Sequence, residues 1–163
     1  MKVAVLGESE ADEAAIRVLV DAALGIATAP PSMPSIRSRG WASVLTVLPA
    51  ILRHVHYRTD AVGLVVVLDS DRSPVHAADH EQPGADDPKC RLCVMKKAVE
   101  RVQNALGPRP GAPPLKTALG LATPQVEAWY LAGLDPHVSE AAWVSGVAAK
   151  KPPYTSDSLK RQV

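Results

Sequence analysis

Two stretches of this sequence carry side chains whose types and spacing could do chemistry. The first is Val65-Val66-Val67-Leu68-Asp69-Ser70-Asp71, an aliphatic run that ends in two aspartates one residue apart. In extended chain, residues i and i+2 point the same way, so the carboxylates of Asp69 and Asp71 are expected to converge. Converging hard oxygen ligands suit Mg²⁺ or Mn²⁺. Aspartates after a strand are also ordinary turn and capping chemistry. The second stretch is His76-x-x-x-His80 followed by Cys90-x-x-Cys93. Two imidazoles and two thiols at this spacing can form a tetrahedral Zn²⁺ set. The rival readings are a reduced, partly buried cysteine pair beside surface histidines, and a redox-active Cys-x-x-Cys.

These residues need elements to position them. Lys2 to Leu6 reads as a first strand, with a turn at Gly7-Glu8-Ser9. A helix follows to Leu24, its first turn rich in acids as the helix dipole favours; Ile16, Leu19, Val20 and Ala23 form its apolar stripe. Residues 26 to 40 read as a loop around a short edge strand. Trp41 to Tyr57 reads as a helix weakened or kinked by Pro49, and Ala61 to Leu68 as a central strand buried on both faces. Ser73 to Lys89 is a polar, Pro-containing insertion that a metal clip could hold where burial cannot. Cys90 to Leu106 returns to helical periodicity, and Leu115 to Leu121 can be a strand. Thr123-Pro124 is expected to open a helix, Thr as N-cap and Pro at the first position, ending near Gly133. The last thirty residues are weakly patterned. The chain closes on Lys160-Arg161-Gln162-Val163 with no helix stop signal, so a further element is expected from a partner or from beyond this sequence.

The alternation of strands and helices predicts a three-layer, Rossmann-like α/β fold. Its mostly parallel central sheet is flanked by helices, in a single domain over 1–163 with a zinc-binding Cys/His insertion at 73–93. Ligands of such sheets bind beyond the carboxyl ends of the strands. Glu8 follows the first strand, Asp12 lies one helical turn later, and Glu127 sits on a helix after a later strand. Together with Asp69 and Asp71 these are the candidate metal ligands, because clustered carboxylates repel one another unless cations neutralise them. Singly, Glu8 reads as a first-turn acid and Glu127 as a solvated one.

Composition narrows the function classes. The 163 residues are 47% hydrophobic, with no Phe, so the core is aliphatic. Eighteen Lys and Arg against 17 Asp and Glu give a formal charge of +1, so a nucleic-acid surface would have to be a local patch. Arg37, Arg39, Arg53 and Arg58 could form one, or a solvated face. No apolar stretch is long enough to span a membrane, the first residues do not resemble a secretory signal, and two cysteines make no disulfide framework. A cytoplasmic location is expected.

An apolar strand ending in Gly7-Glu8, then a strand ending in Asp69-x-Asp71, resembles the Toprim domain of topoisomerases, primases, recombination mediators and OLD-family nucleases. Gly7 precedes Glu8 here, where the family's usual order is Glu-Gly. The Glu8-x-x-x-Asp12 spacing and Glu127-Ala128-Trp129-Tyr130-Leu131 are similar to small stand-alone Toprim-like proteins. The resemblance, over roughly residues 2 to 131, implies Mg²⁺- or Mn²⁺-dependent phosphoryl transfer on nucleic acid, a nuclease of defence or DNA processing. Asp69 and Asp71 would hold metal, with Asp12 and Glu127 as further ligands. Glu8 would be a ligand or the general acid/base, and Arg72 or Lys160 could steady a phosphate. One alternative is a non-catalytic binding or regulatory subunit, working with a protein partner or a second copy. The other is a haloacid-dehalogenase-type phosphatase, whose nucleophile loop Leu68-Asp69-Ser70-Asp71-Arg72-Ser73 resembles.

Overall fold

The computed structural model describes residues 1–34, 40–109, 111–132, 134–135 and 137–162. Arg37, Arg39, Gly133 and Val163 lie outside the described residues. The fold is α/β, a three-stranded parallel sheet flanked by helices. The chain divides into two compact units, Met1–Val67 with Val94–Gly120, and Leu68–Cys93 with Leu121–Val163.

In the first unit, β1 (Val3–Leu6) is buried at every position. It pairs in parallel with β2 (Gly63–Asp69), Val3 opposite Gly63 and Leu6 opposite Val66. The sheet order β1-β2-β3 makes β2 central, as its aliphatic composition predicts. β3 (Lys116–Ala122) is an edge strand, and its side chains are mostly exposed or half-buried. Between β1 and β2 run α1 (Glu10–Leu24) and α2 (Gly40–Arg58). Helix α2 carries Val44, Leu48, Ile51, Leu52 and Val55 into the core, the spacing of one helical face. Pro49 lies inside it. Helix α3 (Arg91–Gln103) adds Met95, Val99 and Val102.

Helix α1 departs from its expected stripe. Ser9 caps it and Gly25, in the left-handed region at φ 67°, ends it, but only Ile16 is buried, while Leu19 is 44% exposed. Polar contacts anchor this helix instead. The Arg17 guanidinium donates to Val3 O at 3.2 Å and to Thr28 Oγ1 at 3.0 Å, and Asp21 Oδ1 accepts from the Thr28 amide and hydroxyl. This network fixes the segment that forms the expected edge pairing, which is a single parallel bridge between Lys2 and Ala29. Arg53 and Arg58 are exposed, His54 Nε2 donates to Ser32 O, and His56 is buried with its Nε2 donating to Gly107 O at 3.0 Å.

In the second unit the end of β2 is laced to the end of β3. The Ser70 amide donates to Ala122 O and the Asp71 amide to Pro124 O, each at 2.9 Å. Helix α4 (Val126–Leu131) starts later than Thr123-Pro124 suggested, with Gln125 at the N-cap position. Thr123 and Pro124 are buried instead as part of the staple to β2. The weakly patterned C-terminal stretch holds two further helices, α5 (Glu140–Ala148), capped by Ser139, and α6 (Ser156–Lys160), capped by Thr155. Ala128, Val138 and Leu159 form the small core here, with Leu131 and Tyr154 packed against it. No helix among the described residues is long and apolar enough to cross a membrane.

Candidate metal centre and acidic turn

The Ser73–Lys89 loop buries none of its residues and has one short 3-10 turn, Ala78–Glu81. Chain folding nonetheless brings its two histidines to the two cysteines at the start of α3. Cys90 and Cys93 are buried, at 0% and 1% exposure. The ligand atoms of His76, His80, Cys90 and Cys93 lie within 4.8 Å of one another. Among the described residues this is the one such group of three or more histidine, cysteine and carboxylate ligands. His76 Nδ1 is 3.5 Å from both sulfurs, and His80 Nδ1 is 3.5 Å from Cys93 Sγ.

These distances test the fit of zinc. Zn–S bonds of about 2.3 Å and Zn–N bonds of about 2.0–2.1 Å give S···N edges of about 3.6 Å in a regular tetrahedron. The three edges found at 3.5 Å match, so the S₂N₂ donor set fits a structural zinc. Burial pushes the Cys93 thiol up from its ordinary value, and the adjacent Cys90 adds to the effect. The Cys93 thiol is therefore a poor thiolate until a cation stabilises it.

Sequence reading missed a fifth member. His76 presents Nδ1 to the thiols while its Nε2 lies 2.5 Å from Glu81 Oε1. A carboxylate behind a ligating imidazole fixes its tautomer and ring orientation and raises its basicity. The available signal was an acid directly after His80 in a loop with no core to serve.

The acidic turn lies at the carboxyl end of β2, as expected, but its carboxylates are engaged by protein donors. Asp69 Oδ1 accepts the Val126 amide at 2.9 Å and so supplies the cap that Gln125 does not. Asp71 has φ 45°, a left-handed conformation that Asp tolerates better than most residues. Its Oδ2 is 2.8 Å from Arg91 Nη1, and its Oδ1 accepts from Gln125 Nε2 at 3.3 Å. Arg91 Nη1 also donates to Asp69 O at 2.6 Å, and the Arg91 amide donates to Ser73 Oγ. Arg91 sits between the two cysteines, so one helical turn supplies thiols to the metal cluster and a guanidinium to the acidic turn.

Glu127 is one residue beyond the amide that Asp69 caps. Its Oε2 is buried with no hydrogen-bond partner among the described residues, which is costly for a carboxylate and suits an added cation. Asp69, Asp71 and Glu127 belong to the second unit, and Glu8 and Asp12 to the first. Glu8 O accepts the Gly40 amide, and the Asp12 amide donates to Ser9 Oγ as part of the α1 cap. Arg72 and Lys160 are exposed.

No family model, curated protein or solved structure matches this chain.

Proposed function

We propose that this chain is a metal-dependent phosphoryl-transfer enzyme acting on nucleic acid, a Toprim-like nuclease whose Cys/His loop holds one structural zinc. The observation that supports the reading is the acidic turn that follows the central strand and the carboxylate one residue past the helix amide it caps. Asp69 and Asp71 leave a buried parallel strand there, and Asp69 caps the helix whose next residue, Glu127, has a buried, unpartnered oxygen. Asp69, Asp71 and Glu127, which among the described residues are not gathered as the Cys/His set is, would have to close on Mg²⁺ or Mn²⁺, which would polarise a phosphate oxygen and activate water. Zinc supports this edge indirectly, because it would fix the turn that carries Arg91.

A second reading keeps the fold and drops catalysis. Arg91 already neutralises Asp71 at 2.8 Å, as a binding or regulatory subunit without a divalent ion would require. The two readings separate in one assay with zinc-loaded protein on supercoiled plasmid and on single-stranded oligonucleotide. The nuclease cuts with Mg²⁺ or Mn²⁺ and loses at least about 100-fold in rate in Asp71→Ala and Glu127→Ala, the scale of one electrostatic contact to a transition state. Folded, zinc-loaded wild type that cuts neither substrate leaves the binding role. For the metal centre, elemental analysis is expected to give one zinc per chain, lost in Cys90→Ser/Cys93→Ser.

A further inference from the structure

Beside the acidic turn, wholly within the second unit, is a cleft of about 620 Å³. That volume falls in the range of about 300–1,000 Å³ usual for ligand sites. Its walls combine two kinds of chemistry. Arg72 and Arg91 line one part with Asp71, and Trp143 and Tyr154 line another. Arg91 is committed to Asp71, whereas Arg72 is exposed and has no hydrogen-bond or ion-pair partner among the described residues.

The aromatic wall is built rather than incidental. Trp143 of α5 and Tyr154 have ring centroids 5.2 Å apart and planes inclined by 31°, so the two rings pack against each other, and both line the cleft. The Tyr154 hydroxyl donates to Ser139 O at 3.1 Å, tying that ring to the α5 cap. The chain after α5 can fold back only because residue 146 is glycine. A Cβ there would lie 2.6 Å from Pro153 Cδ and 2.8 Å from Lys151 O. This return brings Tyr154 beside Trp143.

An aromatic pair and a guanidinium without a partner among the described residues, lining one cleft, match a nucleobase and its phosphate. Bases stack on aromatic rings without regard to sequence, and arginine pairs with phosphate as it does with carboxylate. We propose that this cleft takes one unpaired nucleotide of a nucleic-acid strand, its base against the Trp143–Tyr154 pair and its phosphate at Arg72. The inference rests on the nucleic-acid reading above and adds the substrate class: single-stranded or locally unpaired nucleic acid rather than intact duplex.

The test is binding by zinc-loaded protein without added Mg²⁺ or Mn²⁺, followed by tryptophan fluorescence. The probes are inorganic phosphate, a nucleoside, a nucleoside 5′-monophosphate, a single-stranded hexanucleotide and a duplex of the same length. The hexanucleotide is expected to bind most tightly and to quench fluorescence, and phosphate and nucleoside only weakly. Trp143→Leu should abolish the quench and weaken binding about ten-fold or more. Arg72→Gln alters an exposed side chain, so the fold is retained. It should weaken the hexanucleotide and reduce the salt slope by about 0.7, one contact's worth on a single strand. Equal affinity for monophosphate and hexanucleotide would overturn the strand assignment in favour of a free nucleotide. Tighter binding of duplex, or wild-type affinity in both variants, would overturn the cleft. Intact binding with no cleavage under Mg²⁺ or Mn²⁺ would count against the catalytic reading alone.

Discussion

Cys93→Ser is the substitution that most directly tests the metal centre. Cys93 Sγ lies 3.5 Å from the Nδ1 atoms of both histidines and is 1% exposed. A structural zinc in small modules contributes about 10–16 kcal/mol at neutral pH. Shared over four ligands, that is about 2.5–4 kcal/mol each, or about 10²–10³ in affinity. Serine oxygen is a poor substitute for thiolate, so Cys93→Ser should bind zinc weaker by about that factor in competition with a chromophoric chelator. His76→Ala should cost about 10–100-fold more than His80→Ala, because His76 also has Glu81 behind it. The consequence for stability is local. Residues 73–89 contribute nothing buried, so amide exchange there should accelerate on chelation while α2 and β1 keep their protection. Zinc affinity unchanged by Cys93→Ser, or exchange in this loop indifferent to chelator, would refute the assignment.

Three further outcomes follow from the fold. The two Thr28 hydrogen bonds, side chain first, hold the Asp21 carboxyl below its usual range. Its stabilisation is therefore present above the unfolded value of about 3.9 and lost as pH falls through the lower folded value; the melting-temperature gap between wild type and Asp21→Asn should close below about pH 4. Arg109 is buried and donates to His56 O and Thr59 O at the end of α2, so Arg109→Met should lower urea-unfolding stability by about 1.5–3 kcal/mol, the scale of charged hydrogen bonds. Gly146→Ala should separate Tyr154 from Trp143, seen as a changed near-ultraviolet dichroism with the β-sheet signal retained; an unchanged spectrum would contradict the close approach.

The parts legible in the sequence are those set by patterning. The aliphatic run into Asp69, the Ser9 and Gly25 limits of α1, and the Cys/His spacing each encode their outcome within a few residues. What escaped depends on contacts between distant residues. Helix α4 takes its cap from Asp69, 57 positions away, so Thr123 misled. Helix α5 has apolar residues all round rather than a stripe, which periodicity cannot detect. Arg17 holds α1 by polar contacts, so apolar residues on that helix stayed exposed. Arg91 carries no signal in the sequence, because nothing in its neighbours announces Asp71 as its partner.

A loop that a bound ion would hold through four donor atoms places few demands on the residues between them. Gly84, at φ +81°, has open space around its α-carbon, and its neighbours from Gln82 to Ala85 are exposed. This tip could accept a fluorophore or a short inserted peptide with both thiols and both imidazoles still in reach of one ion. The same freedom makes this tip the place where residues could be added or removed with the four donors kept.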